Sequence, residues 1–281
     1  MNRNAGPYGM LYLVATPIGN LEDITLRALR ILREVDLVAA EDTRASRNLL
    51  NHFAIQKPLT SYYEHNKVIK GPVLLQKLKE GQNIALISDA GMPGISDPGS
   101  DLVKEALAAG ILVTVIPGAN AMLTALVGSG LDTARFAFEG FLPREKSARR
   151  KQLLSLQDET RTLVFYEAPH RLLAVLRDMS EIFGEREMAA GRELTKLYEE
   201  TVRGTIGQVL AHFEENPPRG EFTLVVAGGR MRTSQKPDEP ELLSQLQHLM
   251  TDGQSRKQAA KILAQKYDMP AKTIYDLGIK P

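Results

Sequence analysis

The sequence predicts an α/β protein, with a parallel sheet in its first half and a mixed sheet in its second. Short apolar runs of strand length alternate with helical patterns as far as residue 121. From residue 136 onwards this alternation is less regular, which favours a mixed sheet. The chain has 281 residues, enough for one large domain or two medium ones.

Five strands are predicted in the first half, at residues 10–15, 35–40, 59–63, 84–87 and 112–116. Leu26, Leu29 and Leu32 follow the first strand with helical spacing. A further helix is expected over residues 73–80, because Pro72 suits the first position of a helix.

Four strands are predicted in the second half, at residues 136–141, 161–166, 188–192 and 222–227, with a helix that starts at Thr205. Residues 233–240 have the composition of a linker. Beyond it, helical patterns cover residues 242–250 and 255–266, and Pro270 fits the first turn of a third helix. Three short helices resemble a helix-turn-helix module, and the alternative is a small helical cap or a dimerisation element.

A loop rich in glycine and proline, residues 88–99, follows the strand at residues 84–87 directly. The loop matches neither G-x-x-x-x-G-K-[ST] nor G-x-G-x-x-G, the two common phosphate-binding patterns. Asp89 and Asp97 flank the loop, and no lysine follows its glycines. Carboxylates suit ribose hydroxyls, an amine or a cationic ligand. The alternative is a tight structural turn.

Three further turns follow predicted strands, around Pro17, at Glu41 to Arg44, and at Ala119 with Asn120. The carboxyl ends of parallel strands meet at one edge of a sheet, so these turns and the glycine loop are expected to line one crevice. For the turn at Glu41, a helix N-cap followed by its first turn is the alternative.

The composition excludes several kinds of site. The chain has no cysteine, which excludes disulfides, iron–sulfur clusters, thiolate zinc sites and a cysteine nucleophile. Its five histidines have no H-x-x-x-H spacing, so no metal site is expected. No signal peptide or membrane-spanning stretch is recognisable, and a cytoplasmic protein without a membrane partner is expected.

The net charge of +1 means that any nucleic-acid surface must be local. Two basic patches are candidates, and the alternative for each is a solvated surface. Their candidate RNA-binding residues are Arg144, Lys146, Arg149, Arg150 and Lys151 in the first patch and Arg256, Lys257 and Lys261 in the second.

Seven motifs run in order along the chain: TPIGNLEDIT from residue 16, AEDTR from 40, SDAGMPGISDPG from 88, PGANA from 117, EGFLP from 139, FYEAPHR from 165 and RELTK from 192. With these motifs the chain resembles the tetrapyrrole-methylase superfamily, and in particular its ribosomal RNA methyltransferase branch. The cobalamin and sirohaem branch has G-x-G-x-G-D after its first strand, whereas this chain has PIGNLED.

The resemblance implies two α/β domains, residues 9–121 and 122–232, with S-adenosylmethionine in the cleft between them and a homodimer. The helical module would be residues 241–281. The implied reaction is 2′-O-methylation of a cytidine ribose in the 16S rRNA of the 30S subunit. The implied cofactor-binding residues are Pro17, Ser88, Asp89, Ala90, Met92, Ile95, Ser96, Ala119, Asn120 and Ala168. A tetrapyrrole (uroporphyrinogen-type) methyltransferase and a non-catalytic RNA-binding assembly factor are the alternatives.

A ribose hydroxyl is a weak nucleophile, so a general base or a nearby cation is expected. The candidate catalytic residues are Glu41, Asp42, Glu167, His170, Glu193 and Lys196, with Arg44 as a phosphate clamp. We expect the base to be an acid at Glu41, Asp42 or Glu167, with Lys196 as its electrostatic partner. The alternatives are a structural Glu193–Lys196 salt bridge and strand-end hydrogen bonding by Glu167 and His170.

Overall fold

The computed structural model describes residues 7–229, 237–251, 253–267 and 269–278. The chain divides into two compact units, Met1–Gly228 and Gly229–Pro281. Both sheets lie in the first unit, and three helices lie in the second. Of the predicted linker, residues 233–236 lie outside the described residues.

The first sheet has five parallel strands in the order β3-β2-β4-β1-β5. The strands are β1 (Met10–Val14), β2 (Leu37–Ala40), β3 (Leu59–Ser61), β4 (Ile84–Ile87) and β5 (Leu112–Ile116). Every residue of β2 and β4 is buried, which explains their uninterrupted apolar runs. The carboxyl ends of β2, β4, β1 and β5 are neighbours, which confirms that the predicted turns share one edge of the sheet.

Four helices accompany this sheet: α1 (Leu26–Glu34), α2 (Thr43–His52), α3 (Lys67–Lys79) and α4 (Ser100–Ala108). The next helix, α5 (Ala121–Ser129), packs on the second sheet, which is described below. Side chains of Thr25, Asp42 and Asn120 cap α1, α2 and α5. The predicted start of the helix at residue 73 is wrong, because α3 begins at Lys67 and contains Pro72. The full burial of Leu74 and Leu78 in the core stabilises α3 despite the hydrogen bond that the proline removes.

The second sheet is mixed, in the order β6-β7-β10-β8-β9, with one parallel pair, β6 with β7. The strands are β6 (Phe136–Phe141), β7 (Thr162–Glu167), β8 (Glu187–Arg192), β9 (Glu200–Thr205) and β10 (Phe222–Val226). Its helices are α6 (Lys146–Ser155), α7 (Pro169–Phe183) and α8 (Ile206–Glu215). The sequence did not predict β9, because this edge strand is polar and half-buried throughout most of its length.

One apolar cluster joins the two halves of the first unit. It contains Ile18 from the loop after β1, Met122, Ala125 and Leu126 from α5, and Val164, Leu194 and Val225 from the second sheet and the loop after β8. The second sheet therefore packs one face on α5 and the loop after β1, and its other face on α7 and α8. This packing sets the two sheets on either side of a cleft.

The second unit consists of α9 (Glu239–Thr251), α10 (Arg256–Tyr267) and α11 (Ala271–Tyr275). Leu246, Ala259, Ala260 and Ile274 form its core and are almost wholly buried. These bounds confirm the three predicted helices. In the described ranges of the chain, no helix combines the length and apolar character needed to cross a membrane.

Candidate functional site

Backbone hydrogen bonds tie the loop after β1 to the glycine loop after β4. The N–H of Thr16 donates to Gly91 O (2.9 Å), and the N–H of Gly91 donates to Thr16 O (3.1 Å). The Thr16 hydroxyl also donates to Ser88 O (3.1 Å). Gly91 has φ +81°, a conformation that strongly favours glycine. These bonds fix the glycine loop as one wall of the cleft.

The first cavity lies between the two sheets and has a volume of about 430 Å³. Of the predicted cofactor-binding residues, Ala90, Met92, Ile95, Ser96, Asn120 and Ala168 line it. Phe141 and Tyr166 of the second sheet add aromatic surface. Ser96 is held at φ +63°, an unfavourable conformation of the kind that concentrates at functional sites.

Carboxylates dominate the charge of the first cavity: Asp97, Glu167, Glu193 and Glu221 line it together with Lys196. Burial, followed by the negative charge of Glu41, raises the pKa of Asp97 to about 6, although a hydrogen bond with Ser88 opposes the shift. The cavity therefore suits a cationic ligand and disfavours a phosphate.

Glu167 is buried at the end of β7. Its Oε1 accepts a hydrogen bond from the Ala168 N–H (2.8 Å) and lies 3.4 Å from Arg171 Nε. Its Oε2 is buried and accepts no hydrogen bond from any described residue. Burial raises the pKa of this carboxyl, while the Ala168 N–H and Arg171 oppose the rise. Oε2 is therefore available to a polar group of a ligand. His170 is exposed and does not line the first cavity.

Lys196 lies between two carboxylates. Its Nζ is 3.0 Å from Glu193 Oε1 and 2.9 Å from Glu221 Oε2. Burial alone would lower the pKa of the Lys196 ammonium, but hydrogen bonds with Glu221 and Glu193 outweigh burial and raise it. Burial likewise acts to raise the pKa of Glu193, but the Glu221 N–H and Lys196 lower it. Lys196 is therefore a cation rather than a proton acceptor at neutral pH.

The backbone around Lys196 is tightly constrained. Glu193 and Thr195 have φ +49° and +66°. A Cβ on Gly19 would come within 2.4 Å of Lys196 Cγ, and a Cβ on Gly220 within 2.4 Å of Glu193 Cγ. Gly19 thus lets the Lys196 segment approach the loop after β1 closely, and Gly220 lets it approach the loop before β10.

A second cavity, of about 530 Å³, lies beside the first. The predicted cofactor-binding residues Pro17, Ser88 and Asp89 line it, and Ala90 lines both cavities. The other residues that line both are Ile18, Lys196 and Glu221. Ala119 lines neither cavity, although its carbonyl oxygen lies near Gly91. The two cavities thus share a short stretch of wall that includes Lys196 and Glu221.

The structure does not bring Glu41 and Asp42 into either cavity. Asp42 caps α2, because its Oδ1 accepts the N–H of Arg44 (2.7 Å). Its own N–H donates to Asp89 Oδ1 (3.0 Å). Burial, and then the charge of Asp89, raises the pKa of Glu41. Because neither carboxylate lines a cavity, the structure gives no support to a general base at this turn. Asp42 is the N-cap of α2, as the alternative interpretation expected.

The prediction of Arg149 as an RNA contact is wrong. Arg149 is 6 % exposed, and its Nε donates to Asp178 Oδ2 (2.7 Å) on α7. Arg150 also pairs with Asp178 (2.9 Å) and with Glu181, so α6 uses both arginines to hold α7. Helical periodicity could have suggested this orientation, because Leu153, one turn later, is buried.

The other predicted RNA contacts differ in exposure. Arg256 is half-buried, and its guanidinium donates to the carbonyls of Tyr275 and Leu277, which fastens α10 to the end of the chain's last helix. The exposed candidates are Arg44, Arg144, Lys146, Lys151, Lys257 and Lys261.

Glu221 is a site residue that the sequence reasoning missed. It precedes β10, so it lies at the amino end of a strand, whereas we sought polar residues at carboxyl ends. Because β10 is antiparallel to β7 and β8, its amino end shares an edge with their carboxyl ends. The turn residues Pro217 to Gly220 before it were the available signal.

A sequence profile described as Tetrapyrrole (Corrin/Porphyrin) Methylases matches residues 10–210. The fold is similar to the crystal structure of uroporphyrin-III-C-methyltransferase from Thermus thermophilus, with a TM-score of 0.54 and 24% identity over 78% of this chain and 94% of that one. A crystal structure of diphthine synthase has a TM-score of 0.58 at 15% identity, over 78% of this chain and 90% of that one. The chain belongs to the tetrapyrrole methylase family.

The chain is most informatively compared with two relatives that both carry the name Ribosomal RNA small subunit methyltransferase I. The protein from Synechocystis sp. is 50% identical over 97% of this chain and 98% of its own length. The protein from Bacillus subtilis is 47% identical over 95% of this chain and 93% of its own length. Within the family, these relatives place the chain in the ribosomal RNA methyltransferase branch.

Proposed function

We propose that this protein transfers a methyl group from S-adenosylmethionine to the 2′-hydroxyl of a cytidine ribose in 16S rRNA of the small ribosomal subunit. The names of the two relatives support an rRNA substrate in the small subunit. The observation that carries the chemistry is an acidic cavity that meets a second cavity at Lys196. A ribosomal substrate also agrees with the cytoplasmic location expected from the sequence.

The first cavity fits S-adenosylmethionine. The ligand is a cation with an amine and a ribose, and Asp97, Glu167 and Glu193 supply negative charge and hydrogen-bond acceptors. The unpartnered Oε2 of Glu167 is a ready acceptor for one of its donors. Tyr166 and Phe141 offer aromatic faces for its adenine and its sulfonium. When bound, S-adenosylmethionine supplies an electrophilic methyl group.

The protein's contribution to methyl transfer is to align and activate the acceptor hydroxyl. Lys196, held by Glu193, stabilises negative charge on the acceptor oxygen. Glu221 accepts the hydroxyl proton. Glu221 is favoured over Glu167 as the base, because Glu221 lines both cavities and Glu167 lines only the first.

Radiolabelled methyl transfer to small subunits that lack the modification tests the reaction, followed by identification of the labelled nucleoside. We expect label in 2′-O-methylcytidine. Label in a uroporphyrinogen-type compound instead would support the tetrapyrrole alternative, and RNA binding without label would support the assembly-factor alternative. Glu221→Gln is expected to lower kcat, whereas Glu167→Gln is expected to raise the dissociation constant for S-adenosylmethionine.

We also propose a homodimer formed through β5 and α5. β5 is an edge strand, and Leu112 and Val115 on it are about half exposed. Leu123 and Val127 on α5 are 47 % and 74 % exposed. Exposed apolar side chains on neighbouring elements favour burial against a second copy. Val127→Glu is expected to shift the mass measured by light scattering from dimer to monomer, and an unchanged mass would place the interface elsewhere.

A further inference from the structure

We infer that the second cavity binds the acceptor nucleoside of the RNA, a pyrimidine nucleoside extruded from its strand, and that Asn48 on α2 binds its base. The inference rests on the proposed function and adds the place and the contact by which the acceptor is held. The observations that carry it lie on one face of α2.

Besides the buried Ser46, four residues of α2 line the second cavity: Ala45, Asn48, Leu49 and His52. Their spacing of i, i+3, i+4 and i+7 places them in one stripe along the helix. The small side chain of Ala45 leaves room in the cavity. The opposite wall is formed by the loop after β1 and by Ser88 to Ala90. A groove of this kind can hold a flat ring between two walls.

Asn48 is the polar centre of this stripe. Its side chain is exposed, and no described residue forms a hydrogen bond with its amide. An amide both donates and accepts, so it can form two hydrogen bonds with the Watson–Crick edge of an unpaired pyrimidine. Leu49 and His52 offer an apolar face and an aromatic face on which the ring can pack. The stripe therefore has the chemistry of a base-binding surface.

The position of the cavity agrees with this role. The second cavity meets the first at Lys196 and Glu221, so a base held at Asn48 leaves its ribose free to point toward that junction. Arg44 lies one turn before Asn48 and is exposed, within reach of a phosphate next to the extruded nucleoside. Arg47 lies on another side of α2 and lines neither cavity.

The helix offers a matched pair of variants, Asn48→Ala and Asn51→Ala. Both asparagines are exposed on α2, and Asn51 lines neither cavity. We expect Asn48→Ala to lower kcat/KM for small subunits about tenfold, the effect of losing one or two hydrogen bonds. Asn51→Ala is expected to leave kcat/KM unchanged. Calorimetry is expected to give the same affinity for S-adenosylmethionine in both variants and the wild type.

Ala45→Leu provides a second test, because it fills the cavity without removing a polar group. It is expected to abolish methylation of subunits while melting temperature and S-adenosylmethionine affinity stay at wild-type values. Equal kcat/KM for the two asparagine variants would overturn the inference and leave the proposed function standing. Loss of S-adenosylmethionine affinity in Asn48→Ala would also overturn it. No transfer to subunits by the wild type would overturn the proposed function and the inference together.

Discussion

Replacing Asp97 by asparagine is expected to stabilise the protein and weaken its binding of a cationic ligand. Asp97 is half-buried in the first cavity, and burial together with the charge of Glu41 raises its pKa from 3.8 to about 6. Folding therefore favours the protonated form of Asp97 over its ionised form. Asparagine has nearly the same shape and carries no charge.

The magnitude follows from the pKa shift. An acid whose pKa is raised on folding costs no stability below its unfolded pKa, and the full cost is present above its folded pKa. A shift of about two units corresponds to about 3 kcal/mol, and solvent screening of a half-exposed carboxyl reduces this to roughly 1–2 kcal/mol. At pH 4.5 the cost is about one third of that at pH 7.5, because the folded carboxyl is then largely protonated and the pH lies only slightly above its unfolded pKa.

Urea unfolding of the wild type and of Asp97→Asn at pH 7.5 and pH 4.5 measures this cost, with the exposed Asp158→Asn as the control. The variant is expected to have the higher free energy of unfolding at pH 7.5, and most of the gain is expected to vanish at pH 4.5. A variant less stable than the wild type at pH 7.5, or an equal gain at both pH values, would refute the reasoning. Titration calorimetry at pH 7.5 is expected to show weaker S-adenosylmethionine binding by the variant.

Three further substitutions test other parts of the structure. Lys196→Met removes the cation at the junction of the cavities and is expected to lower kcat about a hundredfold in single-turnover assays, with exposed Lys79→Met as the control. Asp178→Asn leaves Arg149 buried without its partner, and is expected to cost about 3–5 kcal/mol in urea unfolding. Gly19→Ala places a methyl group against Lys196, and is expected to lower kcat while the subunit affinity measured by filter binding stays unchanged. A variant that behaves like the wild type would contradict the role assigned to the Lys196 cation, to the Asp178–Arg149 ion pair or to the close approach of Gly19 to Lys196, respectively.

Strand periodicity predicted much of the fold because the buried strands carry continuous apolar runs. The residues of β4 and β10 are all buried, and both strands were recognised from that pattern. β9 was missed because an edge strand that is half-buried needs no apolar alternation. The start of α3 was misplaced because a proline inside a helix is tolerated when tertiary packing supplies the stability.

The candidate site was predicted best where residues adjacent in sequence act together. The glycine loop from Ala90 to Ser96 lines the first cavity, because its position after β4 fixes where it must lie. Glu221 could not be placed without knowing that β10 runs antiparallel to its neighbours. Arg149 was misread because charge alone does not distinguish an exposed arginine from one that pairs with a buried Asp178.

The apolar cluster that joins the two sheets bears on how the protein unfolds. Val164 and Val225 are fully buried on the face of the second sheet that meets Met122 and Leu126 of α5. Ile18 from the loop after β1 packs in the same cluster, and both sheets belong to one compact unit, so Met1–Gly228 is expected to melt in one cooperative transition. The cleft between the two sheets is consequently part of one cooperative folded unit.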